Sequence, residues 1–262
     1  MGMKHFFALL ISIITALLPG LAAAQAACVK QSPEHSVALL ELYTSEGCDS
    51  CPPADAWLRS IGSANAPNSL IPLALHVNYW DYIGWKDRFA DARFSERQNA
   101  ITKLANGKVV YTPGIFLNLR EFRDWSSEPK LREAVAAINA RPARAAIRIA
   151  LTQQADGRLG VNATFQVKPG AKAVLPQAYV AVYESALTSD VKAGENRGVT
   201  LHHDYVVRQW LGPVEFSAGT AGLSRTIALD PQWHRANLGV AAFVQEAGSP
   251  DVLQATALKV CG

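Results

Sequence analysis

Cys48-Asp49-Ser50-Cys51 is the place in the sequence where residue types and spacing point to covalent chemistry. Two thiols separated by two residues can close a disulfide or hold a soft metal ion. The same spacing forms half of many zinc sites, but no second such pair occurs. A four-cysteine zinc site would have to recruit Cys28 and Cys261 from opposite ends of the chain. Redox chemistry is therefore the expected use. Cys48, nearer the preceding turn, is the expected exposed and attacking thiol, and Cys51 the resolving one.

The neighbouring residues supply the elements that such a pair needs. Val37 to Tyr43 is an almost wholly apolar run, the pattern of a strand buried on both faces. Thr44 to Gly47 supply a turn, and Pro52-Pro53 suit the first turn of a helix, whose leading N–H groups have no partner to lose. Ala54, Trp57, Leu58 and Ile61 then recur at helical spacing. The partial positive charge at a helix N-terminus stabilises a thiolate, the form that attacks disulfides.

Leu70 to Val77 reads as a second apolar strand, with Pro72 near its start. A strand–helix–strand unit implies a right-handed crossover and parallel pairing, so His76 to Asp81 falls on the same sheet edge as Cys48. His76, set among apolar residues, reads as a hydrogen-bonded core histidine. Tyr79, Trp80, Tyr82 and Trp85 would wall the thiol site or cap the core. Ser95 to Gln98 matches a capping box opening a helix to about Leu104. Pro113 must open the next strand, Ile115 to Leu119, with Glu121 and Phe122 as an edge continuation. Ser127 caps a helix that sets Leu131, Val135 and Ile138 on one face.

This order, over about Ser36 to Arg141, resembles the thioredoxin fold. The resemblance implies a cis proline at Pro113 facing the cysteine pair, with Thr112 offering its backbone to a bound peptide. Gly47 to Asp55, His76 to Asp87 and Tyr111-Thr112-Pro113 are similar, more narrowly, to a family of exported bacterial proteins whose domain has no assigned function. Asn78 and Gly114 depart from that family's pattern, standing where Asp and Gln are expected.

Past Arg141-Pro142 the pattern changes to alternation, and Asp156-Gly157 marks a hairpin turn. Strands are expected at 147–151, 159–167, 179–183, 205–210, 224–229, 238–244 and 252–258, an antiparallel sandwich. Between them, Gly194-Glu195-Asn196-Arg197-Gly198 and Leu201-His202-His203-Asp204 read as a hairpin with two exposed histidines. A binding loop or an Asp/His metal cluster is the alternative, disfavoured because adjacent strand side chains face opposite ways.

The expected fold class is thus an α/β thioredoxin-like domain (residues 27–141) followed by an antiparallel β-sandwich domain (142–262). Residues 1–26 read as an export signal: Lys4, an apolar run from Phe6 to Leu18, then A-x-A sites at Ala22 to Ala24 and Ala24 to Ala26. Gln25 stands where a lipoprotein signal would carry an aliphatic residue before Cys28. The apolar run is short for a membrane span, so no stable membrane insertion is expected. In an exported chain Cys28 and Cys261 are expected to pair. An apolar fraction of 49% with 18% charged residues fits a globular chain, and a net charge of +3 is too small to imply nucleic acid.

The functional expectation is a periplasmic or secreted thiol–disulfide oxidoreductase of reductant or isomerase type. Cys48 and Cys51 would be catalytic, with Thr112, Pro113 and Trp80 at the substrate. Its partners would be a thiol-containing exported protein and a dithiol electron donor; no cofactor and no metal is required. The alternative is soft-metal (copper) binding by the two thiolates, or a redox-inactive interaction module on the same scaffold.

Overall fold

The computed structural model describes residues 1–2, 27–64, 68–154 and 156–261. The expected export signal therefore lies, apart from residues 1–2, outside the described residues. Among them no helix is long and apolar enough to cross a membrane.

The first half runs β1 (Ala27–Gln31), β2 (Ala38–Thr44), α1 (Pro52–Ala64), β3 (Leu70–His76), α2 (Ala92–Leu104), β4 (Gly114–Leu117), β5 (Arg120–Glu121) and α3 (Glu128–Asn139). As expected, β2 and β3 pair in parallel across α1, from Ala38–Leu70 to Thr44–His76. Helix α2 begins before the expected capping box: Asp91 is its N-cap and accepts from the Arg93 N–H. Ser95 instead donates to Asn78 Oδ1 at 2.6 Å. Ser127 occupies the N-cap position of α3 without a side-chain capping bond.

The second half is β6 (Ala145–Gln153), β7 (Leu159–Val167), β8 (Pro176–Glu184), β9 (Leu187–Asp190), β10 (Thr200–His203), β11 (Val206–Glu215), β12 (Thr220–Ile227), β13 (Leu238–Glu246) and β14 (Val252–Lys259). These strands do not form a separate sandwich, and the expected fold class is wrong. One eight-stranded sheet, in the order β14-β13-β8-β11-β3-β2-β4-β5, runs through both halves. Its joint is β11 against β3, parallel at Val206–Ala74, so a strand from beyond the change of pattern at Arg141 enters the parallel part of the sheet. Conversely, β1 leaves the first half to pair antiparallel with β6 in a four-stranded sheet, β1-β6-β7-β12. The molecule is a mostly β protein with three α-helices among the described residues.

The physical reason lies in β8 and β13. Tyr179, Ala181 and Tyr183 face one core with α2, while Ala178, Val180 and Val182 face the four-stranded sheet. All nine residues of β13 are buried. Strands apolar on both faces belong inside a large sheet covered on both sides. The edge of β3, left open in a small sheet, is covered the same way. Near the joint, alternate residues of β2 divide between the layers: Leu39 and Tyr43 pack with α2, Leu40 and Leu42 with α1 and α3.

Cys28 and Cys261 are disulfide-bonded, as expected, and tie β1 to the segment after β14.

Candidate functional site

The turn after β2 carries the pair. Cys48 N–H donates to the Ser45 carbonyl and Cys51 N–H to the Cys48 carbonyl, both at 3.2 Å. The Cys51 carbonyl then accepts from Ala54 and Asp55, opening α1. The tight turns bring the two sulfurs together at the helix start, and Cys48 and Cys51 form a disulfide. Both residues are 0% exposed. Cys48 is therefore not the exposed thiol that its place near the turn predicts, because three segments wall it in.

The first wall is the aromatic loop after β3. A Cβ on Gly47 would meet Trp80 Cβ at 3.1 Å and Ile83 Cδ1 at 3.3 Å. The second segment is Thr112–Pro113, whose peptide bond is cis and which is tied to the first wall. Trp80 connects the two, since its Nε1 donates to Thr112 Oγ1 at 2.7 Å. Gln98 of α2 supports this wall by donating to the Tyr111 carbonyl at 2.7 Å. A side chain on Gly114 would collide with it, a Cβ lying 2.8 Å from Gln98 Nε2, so Gly114 leaves room for that bond. Trp80 thus links the turn that carries Cys48 and Cys51 to Thr112 and Pro113. Beside Pro113 opens a cleft of about 280 Å³, lined also by Tyr111, Glu121, Phe122 and Trp125.

The third wall comes from the arm 191–199 between β9 and β10. Asn196 is buried, and its side-chain amide donates at 2.9 Å to the carbonyls of both Glu46 and Cys48. Glu195 accepts from the Asp49 N–H at 3.2 Å. A Cβ on Gly194, which sits at φ +76°, would meet Ile83 Cδ1 at 3.2 Å and Trp85 Cβ at 3.3 Å.

Behind the turn lies a buried charged cluster. His76 Nδ1 meets Asp87 Oδ2 at 2.6 Å, and Asp87 also accepts from the Glu46 and Phe89 N–H groups. Burial disfavours charge on His76, but the Asp87 carboxylate outweighs it and holds the imidazole pKa above its usual value. Burial likewise pushes Asp87 up, and the bonds from His76 and the backbone bring its net shift downward. Glu46 is also shifted down: burial pushes it up, but the neighbouring His203 and Ser189 and the hydrogen bond from Trp85 outweigh that. The Trp85 bond is 2.7 Å long. Asp55, buried one helical turn beyond Cys51, is shifted up by desolvation. His203 sits between the acids, 3.5 Å from Glu46 and 3.8 Å from Asp55, with its ring 5.0 Å from that of His76.

His76 is the hydrogen-bonded core residue that its apolar neighbours predict. For the second pair the expectation is half corrected: 187–203 is a hairpin and His202 is exposed, but His203 is 2% exposed. Asn196, His203 and Asp55 were not assigned to the site by sequence. The first two fall within stretches that stand out as a binding loop or hairpin, but no periodicity links them to Cys48. Among the described residues no group of three or more His, Cys, Asp or Glu side chains could hold a metal ion.

A family profile described as "Protein of unknown function (DUF1223)" matches residues 39–245. A protein from Agrobacterium tumefaciens, solved by crystallography in a structural-genomics programme, is 24% identical with a TM-score of 0.63; the match covers 88% of this chain and 97% of that one. HBP35 of Porphyromonas gingivalis is 15% identical with a TM-score of 0.63, over 87% of this chain and 76% of that one. At such identities the likeness is one of fold alone. No curated protein matches the chain.

Proposed function

The chain belongs to the DUF1223 family, for which no function is assigned, and from that premise we propose that it is a periplasmic or secreted thiol–disulfide exchange protein acting on other exported proteins. The observation that carries this reading is the junction at Trp80. It packs on Gly47, next to Cys48, and binds Thr112, so a disulfide at a helix start and the Thr112–Pro113 segment share one site. Two disulfides also suit a compartment outside the reducing cytoplasm.

In the reducing direction, the Cys48 thiolate attacks one sulfur of a substrate disulfide. That bond breaks, its other sulfur leaves as a thiolate and takes a proton, and Cys48 is joined to the substrate. Cys51, deprotonated, then attacks Cys48 and releases the second substrate thiol. The protein is left as the Cys48–Cys51 disulfide, and the substrate has gained two electrons and two protons. A dithiol donor restores the starting state. In isomerisation a second substrate thiol, not Cys51, releases Cys48.

Cys51→Ser removes the resolving thiol and tests the reading. Expressed with its export signal and quenched by alkylation, this variant should accumulate covalent adducts with envelope proteins that a reductant dissolves. Adducts no more abundant than in Cys48→Ser/Cys51→Ser would overturn it.

A further inference from the structure

A disulfide that exchanges with other proteins must be reached from outside, yet both of its cysteines are fully buried. Building on the exchange reading, we infer that the arm 191–199 is a lid over the pair and that Asn196 is the positioning residue that latches it.

The arm is built to move as a unit. Its bonds are largely its own: Val191 N–H to the Val199 carbonyl, Gly198 N–H to Val191, and Val199 N–H to Asn196. Gly194 and Gly198 sit at φ +76° and +83°, backbone that other residues rarely adopt. Among the described residues the strands that carry it, β9 and β10, pair with each other and with no strand of either large sheet. What holds the arm to the cysteine turn is small in number and specific. Asn196 donates to two carbonyls, one of them that of Cys48, and Glu195 accepts from Asp49. Both Asn196 acceptors are carbonyls, so only the amide nitrogen can serve there. Releasing these three bonds uncovers the turn without breaking either sheet. Gly194 lies against Ile83 and Trp85, so lifting the arm also frees the aromatic loop that forms the first wall.

The latch sets the fraction of molecules whose pair is open to attack, and the rate of exchange follows that fraction.

The test is reduction of the folded, oxidised protein by dithiothreitol. Two electrons pass to the protein disulfide, giving two thiols and the cyclic disulfide of the reagent. Samples are quenched by alkylation and each disulfide is followed separately. Asn196→Asp keeps the side-chain size but replaces the donor by a carboxylate facing two carbonyls. Two lost bonds should accelerate reduction of Cys48–Cys51 about tenfold or more. Glu195→Ala, at an exposed position, should accelerate it by about threefold and guards against misfolding of the first variant. Cys28–Cys261, remote from the arm, is the internal clock and should keep its rate in both. Selective acceleration supports the lid. No change at Cys48–Cys51, or equal acceleration of both disulfides, overturns it. Selective acceleration with no trapped adduct in Cys51→Ser would leave the lid standing and remove the exchange function.

Discussion

At the scale of single residues, the cluster behind the disulfide ties stability to pH. His76 is held above its usual pKa by Asp87, so its contribution is complete below the unfolded value of about 6.5 and is lost as pH rises through the folded one. Asp55, also shifted up, acts in the same sense: burial in neutral form favours the fold at low pH and disfavours it as pH rises. Asp87 and Glu46 are shifted down, and their contribution is present above the unfolded carboxylate values of about 4 and lost as pH falls further. Stability should therefore rise with pH up to about 4, decline from there as Asp55 ionises, and decline further above about 6.5 as His76 loses its proton. Urea midpoints across this range check it, and His76→Gln should flatten the alkaline decline; an unchanged slope would remove His76 from the account. Half of this cluster was legible in sequence. His76 is flanked by apolar residues, which marks it as buried. The rule that adjacent strand side chains face opposite ways argues against a metal pair at His202 and His203, but it equally requires one of them to face inward. The sequence does not say which one, because the burial of β10 depends on its docking against α1, far away in the chain.

Among the elements, α2 braces the large sheet through one residue. Arg97 Nε donates to Glu41 of β2 at 2.7 Å and its Nη2 to Gln245 of β13 at 3.0 Å. The guanidinium also lies 4.8–5.2 Å from the ring centres of Tyr179, Trp210 and Phe243. Glu41 is 1% exposed and its other oxygen has no partner. Arg97→Met should thus cost about 3–5 kcal/mol in urea unfolding, because it leaves a buried carboxylate alone. Replacing Glu41 by Leu in the same molecule should recover most of the loss. A single variant within about 0.5 kcal/mol of the parent would contradict the brace. Element types were largely readable, since apolar runs, prolines and turn dipeptides are local signals. Boundaries were less so: α2 starts at Ala92 because Asp91 caps it, while Ser95, in the better-looking motif, is held by Asn78. The short strands β9 and β10 carry too few residues for a pattern.

At the scale of the whole molecule, the sequence pattern misled where it changes near Arg141. Alternation in β6 and β7 is real, and these strands do form a sheet with one exposed face. The continuous apolar runs of β8 and β13 were the contrary signal: with β11 and β14 they lie in the same sheet as β2 and β3. The Cys28–Cys261 staple closes nearly the whole described chain, a constraint of about 5 kcal/mol in the chain-entropy model. Within this frame the cysteine turn has an acidic setting. Glu46, shifted toward its ionised form, lies two residues before Cys48, and Asp49 follows it directly. These charges oppose a helix-end contribution to the thiolate of up to about 2 kcal/mol, so the disulfide is favoured over the dithiol. The central claim is that Cys48–Cys51 is a reversible couple of reducing character. It is tested most directly by the reduction potential of that pair, measured in dithiol–disulfide buffers with Cys28–Cys261 intact. The account predicts full re-equilibration at a value closer to about −270 mV than to about −120 mV. A potential near the oxidising end, or a pair that stays closed in every buffer until the protein unfolds, would contradict it.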